Sequence, residues 1–323
     1  MTRTIILTGL LVMACAQGRS QDRLIPSDTA FVLEIDVRKI IQSGIGQETV
    51  VPLIKSRIHE ITVLNQALNK LAIDPLRDLG KITLTAAGAK DTERLMIVAR
   101  GSWNAISMLE RLQKLSSASS KNGIEKISIG TTTIFRATLV ENKAKSVFLA
   151  VTPDGALAVS PAKEYIIDST MPKPSISLSN KYFQQAVTGL DEQSVIRFAV
   201  SGQAIERAAI PEGPARELLA NVRSLSGGLA FVGNDLRLEI TLDAGEAPSA
   251  TAMRDSIEDL SNQSLGFLGI LANQKREYRP VLSTVKNMRS STRGSTVTLR
   301  AAMSLDDFRG ILNLSGLSAG NNP

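Results

Sequence analysis

Pro153-Asp154-Gly155 leaves the chain on either side of it few options. Proline presets φ for the first corner of a turn and glycine accepts the positive φ that closes one. The flanking residues agree: Val147 to Val151 is apolar and partly β-branched, and Ala156 to Val159 resumes in kind. The spacing predicts an antiparallel hairpin. Ser160-Pro161 then reads as a helix start, serine as N-cap and proline at the first helical position. Tyr165, Ile166 and Ile167 supply that helix with an apolar side. Strand, tight turn, strand, helix is the grammar of a mixed fold whose neighbouring strands run antiparallel.

The same grammar recurs. Phe31, Leu33, Ile35 and Val37 alternate with Glu34 and Asp36, the period of a strand. Val51, Ile54, Ile58, Ile61, Leu64, Leu68 and Leu71 recur at three and four, one helical stripe, ended by Asp74-Pro75. Lys81 to Ala87 and Leu95 to Arg100 read as strands, and Ser102 as the N-cap of a helix carrying Ile106, Leu109 and Leu112. A hairpin is expected around Gly130, and a loop over Ser116 to Gly123. After a Pro/Ser-rich stretch, Met171 to Lys181, and a short helix near Phe183, the pattern restarts. Ser194 to Val200 alternates, Gly233-Asn234-Asp235 joins two further strands, and a long helix from about Ser249 carries Met253, Ile257, Leu260, Phe267 or Leu268, and Leu271. Thr296 to Ala301 is a last strand, leading into a helix capped by Ser304 with Asp307 as the capping-box acid.

The expected fold is therefore α+β: two related lobes of mainly antiparallel sheet packed by helices, with the shared order of elements suggesting a tandem duplication. The first lobe spans 26–171 and the second 194–318, with a linker and short helix over 172–193 and a disordered tail over 319–323. Residues 1–16 form an export signal: Arg3, then a short apolar run from Ile5 to Ala14, too short to span a bilayer. Val12-Met13-Ala14-Cys15 resembles a lipobox, which makes Cys15 a lipidation candidate; Ala14-Cys15-Ala16 equally fits ordinary signal peptidase with cleavage before Gln17. Residues 17–25 are a polar tether, and the expected location is the periplasm, an envelope-anchored site or the exterior. Two stretches, IPSDTAFVLEIDV from Ile25 and LAVSPAKEYIID from Leu157, resemble segments in a class of uncharacterised exported proteins of planctomycete bacteria. The resemblance implies export and this fold, and supplies no site residues to transfer.

Several chemistries are excluded or disfavoured. With one Cys and one His there is no Cys/His cluster for structural zinc and no intrachain disulfide. His59 lies on the flank of its helical stripe with no partner cluster. Ser160-Pro161-Ala162-Lys163 is a literal S-x-x-K, but the accompanying K-T-G is absent and Pro161 points to capping. The acidic pairs Asp191-Glu192, Glu258-Asp259 and Asp306-Asp307 are sequence neighbours, which on a helix do not face the same way. Gly227-Gly228 lacks the other glycines of a dinucleotide fingerprint and there is no P-loop, so no cofactor is expected. Aromatics are 4% of the chain, too sparse for base-stacking platforms, and no nucleic-acid partner is expected.

One charge feature rises above the rest. Between Lys275 and Arg300 stand seven cations, Lys275, Arg276, Arg279, Lys286, Arg289, Arg293 and Arg300, against the single acid Glu277, a local net of +6 that equals the formal charge of the whole chain. Such a run is either a solvated strand face that discourages edge pairing or a contact for anionic lipid headgroups or an anionic envelope polymer. The reading that follows is a non-enzymatic exported protein that binds or scaffolds, touching a membrane only through a lipid anchor. Two alternatives stand beside it: a hydrolase with dispersed carboxylates or a serine, and a carrier of an apolar ligand held between sheet and long helix.

Overall fold

The computed structural model of the chain describes residues 24–60, 68–88, 94–117, 124–130, 132–138, 146–170, 178–208 and 210–314, with the side chains of 56–60 left aside. Twelve strands form one antiparallel sheet. In chain order they are β1 (Phe31–Asp36), β2 (Leu79–Ala86), β3 (Leu95–Gly101), β4 (Ile124–Ile129), β5 (Thr132–Thr138), β6 (Ser146–Val151), β7 (Leu157–Ser160), β8 (Ile196–Ser201), β9 (Ser224–Val232), β10 (Asp235–Asp243), β11 (Arg289–Arg293) and β12 (Thr296–Ser304). Across the sheet the order is β11-β12-β10-β9-β8-β1-β2-β3-β7-β6-β5-β4. The described α-helices are α1 (Val37–Gln42), α2 (Val51–Glu60), α3 (Ala105–Ser117), α4 (Lys163–Thr170), α5 (Lys181–Thr188), α6 (Gly202–Arg207), α7 (Pro214–Leu219), α8 (Ala247–Gln274), α9 (Arg279–Lys286) and α10 (Leu305–Leu314); a π-helical segment, Gly46–Val50, runs into α2, and a 3₁₀ turn, Arg276–Tyr278, precedes α9.

The hairpin that organises the sequence forms as its residues demand. Gly155 N–H donates to Thr152 O at 2.9 Å, Gly155 takes φ +83°, and Trp103 Nε1 donates to Gly155 O at 3.0 Å, tying the turn to the chain beyond β3. Gly130 and Gly233 also adopt positive φ, at +58° and +62°, in the two other expected hairpins. Ser304 Oγ accepts from Asp307 N–H at 3.1 Å, the expected cap of α10. The helix of the organising unit starts later than its residues suggest. Ser160 ends β7, its Oγ donates to Leu95 O at 2.6 Å and accepts from Ala162 N–H at 3.0 Å, and α4 begins only at Lys163. The serine closes a turn between strand and helix and pins it to β3.

The two halves share one connectivity. In each, three strands in series (β1, β2, β3 and β8, β9, β10) lie side by side, a helix follows (α3, α8), and a later strand (β7, β12) returns beside the third before leading into a helix (α4, α10). Among the described residues the β4–β5 hairpin has no counterpart in the second half. The halves meet where β1 pairs with β8, Phe31 opposite Val200 and Ile35 opposite Ile196, so the sheet is continuous.

Each face is covered differently along the sheet. One face carries α4 and α5. Ile166 of α4 packs on Met96, Val98, Ile134, Ala150 and Ala158. Phe183 of α5, fully buried, packs on Val32 of β1 and Ala199 of β8 together with Ile25 and Leu178, so a helix of the expected linker sits across the seam. The other face carries α3 over Phe135 and Leu157 in the first half. In the second half Ala250, Met253 and Ile257 of α8 cover Leu242 and Val297, and α10 covers Leu236 and Met303. The seam is clasped on this face too: Ile45 joins the α10 cluster, and Arg309 reaches Glu48 at 2.8 Å and Thr49 at 3.2 Å.

Two readings of pattern need correction. Alternation assigns Glu34 to the face away from Phe31, Leu33 and Ile35, which suggests solvent. In fact both faces are covered at β1: Glu34 is 6% exposed and pairs with Arg197, its register partner on β8, itself 7% exposed. On α3, Ile106 is 68% exposed, while Met108 and Leu112 are buried. The helix starts at Ala105 with Asn104 accepting from Ser107 N–H at 3.0 Å, and this start turns Met108 rather than Ile106 toward the sheet.

Candidate functional site

Register divides the seven cations. Arg300 on β12 stands opposite Glu239 of β10 and Arg289 of β11. Its Nε donates to Glu239 Oε2 at 2.7 Å, a bond that raises the guanidinium pKa further above its ordinary value. Arg289 donates to Lys286 O at 3.0 Å and Met288 O at 2.9 Å, capping the end of α9. Arg300 and Arg289 are thus committed within the fold. Arg293 ends β11 on the same face, exposed.

The other four lie on or beside helices of the opposite side. Lys275 follows the last residue of α8, Arg276 opens a short 3₁₀ turn, Arg279 opens α9 and Lys286 ends it, all exposed. Among the described residues, none of Lys275, Arg276, Arg279, Lys286 or Arg293 has a carboxylate within ion-pair distance. Lys275 and Arg276 also complement the negative end of the α8 dipole, which favours cations there. The turn from α8 to α9 therefore concentrates three exposed cations, Lys275, Arg276 and Arg279, within five residues, against Glu277.

A second site lies on the other face. Among the described residues no helix crosses the α4/α5 face over β10, β12 and β11. The open strands carry cross-strand rows: Gly228, Glu239, Arg300 and Arg289 in one, Ser226, Thr241, Thr298 and Ser291 in the next. Where α5 ends, Asp191, Ser194, Ser226, Gly228, Arg237 and Glu239 are among the residues lining a shallow groove of about 360 Å³. Gly227 and Gly228 belong to β9, not to a phosphate loop. A Cβ on Gly228 would fall 2.4 Å from Ser194 Oγ, so glycine keeps this floor close to the loop before β8. The backbone N–H of Gln193 and the hydroxyl of Ser194 hold the Asp191 carboxyl below the usual carboxylate range, against the opposing push of burial. The acids and arginines interleave here, so the groove presents a polar surface of mixed sign.

The remaining candidates from the sequence fall elsewhere. Ser160 is 1% exposed with its hydroxyl bonded on both sides, an arrangement of a structural group rather than a nucleophile. His59 lies in the last half of α2, whose side chains are left aside, and Cys15 lies outside the described residues. Among the described residues no group of three or more His, Cys, Asp or Glu is placed to hold a metal ion. None of the described helices is long and apolar enough to cross a membrane.

The apolar stripe of α8 left one position open between two residues, Phe267 and Leu268. Phe267 is 63% exposed and Leu268 half-buried, so Leu268 holds that position; Ile270, outside the expected stripe, is 60% exposed. Extending the stripe from Met253 and Ile257 at about 100° per residue reaches Leu268 and leaves Phe267 and Ile270 on the flank and back of the helix.

No family model matches the chain, and no curated protein matches it. Among solved structures, crystal forms of a protein named TP0453 align over most of its length. Form I shows 9% identity, a TM-score of 0.42, and coverage of 92% of this chain and 97% of that one. Form IV shows 8% identity, a TM-score of 0.46, and coverage of 90% and 95%. At such scores the likeness says nothing of activity or ligand.

Proposed function

We propose that the chain is an exported protein of the cell envelope that binds and scaffolds rather than catalyses, and that it meets an anionic surface through the α8–α9 turn. The observation that carries this reading is the placement of Lys275, Arg276 and Arg279, exposed and without a carboxylate partner among the described residues. Cations that serve the fold are paired, as Arg300 and Arg197 are; cations left unpaired at one turn raise the local concentration of anions. The apolar leader with Cys15 supports export, and the matched order of strands in the two halves supports an ancient duplication.

Two measurements test the reading. N-terminal mass analysis of protein from its own cell should find lipid on Cys15 or a chain beginning at Gln17; an intact Met1 would refute export. On poly-L-glutamate beads, the protein should be retained at low salt and released as salt rises. Retention should fall in Lys275→Ser/Arg276→Ser/Arg279→Ser and persist when the exposed Lys114, Lys126 and Arg207 are replaced instead. Equal loss in both triples would reduce the effect to net charge.

A further inference from the structure

The last half of α8 is uncharged and turns part of its apolar surface to solvent. Asp259 and Lys275 bracket fifteen residues without a single charge. The buried residues of α8 are Ala250, Met253, Ile257 and, far along, Ala272. Leu265 shares a groove with Val285 of α9 and Met288, so one side of this half is packed. The other side bears Phe267 and Ile270, three residues apart and therefore neighbours on the surface, at 63% and 60% exposure. Two such side chains held in water on one helical turn are a standing cost, relieved by transfer into an apolar medium. The cations of the α8–α9 turn begin one residue beyond the helix end.

Resting on the anionic-surface reading above, we propose that the surface is a lipid bilayer carrying anionic headgroups. Phe267 and Ile270 enter the headgroup–acyl boundary while Lys275, Arg276 and Arg279 bind phosphate from above it. An anionic polymer would satisfy the cations and leave the two apolar side chains wet. A bilayer satisfies both, because an interfacial helix draws on apolar burial and electrostatic attraction together. The contact is additional to any acyl anchor on Cys15. It places the α8 side of the sheet against the membrane and the open Arg/Ser/Thr face away from it.

The test is sedimentation of the exported chain carrying Cys15→Ser, so that no acyl group contributes, with vesicles of phosphatidylcholine alone or mixed with phosphatidylglycerol. The protein should pellet with the anionic vesicles and much less with the neutral ones. Phe267→Ser/Ile270→Ser should weaken that partitioning at least tenfold and leave retention on poly-L-glutamate unchanged. The Lys275/Arg276/Arg279 triple should weaken it by roughly a hundredfold, at about fivefold per cation, and lose the beads as well. Both apolar side chains are exposed, so the double variant should melt with the parent; as a second reading, Phe267→Trp should shift its emission to the blue on anionic vesicles only. If the double variant sediments like the parent, or the introduced tryptophan stays unshifted, the bilayer inference falls while bead retention keeps the broader reading alive. Loss of both vesicle and bead binding in the parent ends both. A concentration-dependent dimer that the double variant abolishes would give this face to a second copy of the chain and overturn the proposal.

Discussion

Glu34 and Arg197 put two opposite charges at the middle of the sheet, on adjacent strands in direct register, each under 10% exposed. Neighbouring charge is dense: burial pushes the Lys81 ammonium down, Arg197 adds to that effect, and Glu34 and Asp36 oppose it. Desolvating an ion pair costs several kcal/mol per ion, and mutual attraction does little more than offset it. Removing one partner strands the other. Glu34→Ala or Arg197→Ala should therefore destabilise the protein by about 3–5 kcal/mol, whereas Glu34→Leu/Arg197→Met should be close to neutral. Urea midpoints of the three variants decide it; a double variant as damaged as the singles would show that the pair contributes more than its own compensation. Thr85 on β2, directly opposite Val32, is a simpler case. Among the described residues its buried Oγ1 has no hydrogen-bond partner, so Thr85→Val should be neutral or stabilise by up to about 1 kcal/mol, read from the same melts.

At the scale of elements, the Thr152–Ala156 turn holds an ionised carboxylate. Burial pushes the Asp154 carboxyl up, but the Thr152 hydroxyl and the Arg100 guanidinium, 3.1 Å away, together hold it below its ordinary value of 3.8. A folded-state pKa below the unfolded one stabilises fully above the unfolded value, and that contribution disappears as pH falls through the folded value. The advantage of the parent over Asp154→Asn should be constant at pH 5 and above and shrink as pH drops below about 4, measured by urea denaturation at each pH. A difference that stays flat down to pH 2.5 would deny the carboxylate this role. This turn was legible in the sequence because its determinants are local: Pro153, Asp154 and Gly155 act on backbone angles within four residues. So were the hairpins at Gly130 and Gly233 and the cap at Ser304. β11 was not legible, because RSSTR carries no apolar alternation and owes its strand to pairing with β12. The burial of Glu34 was not legible either, since it depends on α5 and β8, more than a hundred residues away in sequence. For the candidate contact, composition alone marked the run from Lys275 to Arg300, but only strand register separates Arg289 and Arg300, which serve the fold, from the cations of the α8–α9 turn.

For the molecule as a whole, the decisive fact is that the halves are not separable layers. Two lobes linked only by a polar segment would unfold independently, each with its own midpoint. Here β1 and β8 exchange a full ladder of hydrogen bonds. Phe183 is buried against both strands on one face, and Ile45 and Glu48 of the first half dock on α10 of the second across the other. A fully buried phenylalanine alone contributes about 1.5–3 kcal/mol, and opening the seam would also expose the Glu34–Arg197 pair. Breaking the halves apart thus strips the β1–β8 ladder, Phe183 and Ile45 of their partners together. Unfolding should accordingly be one cooperative transition. Trp103, the single tryptophan, stands in the first half against the Gly155 turn and reports that half alone; far-UV circular dichroism reports both. In urea the two signals should trace superimposable curves with one midpoint. In Glu34→Ala both should move together to lower urea, although the substitution lies in the first half. If tryptophan fluorescence and circular dichroism separated, or if the substitution shifted only the fluorescence, the β1–β8 pairing would be a junction between two independent folding units, and the interlobe contacts would contribute far less than their burial implies.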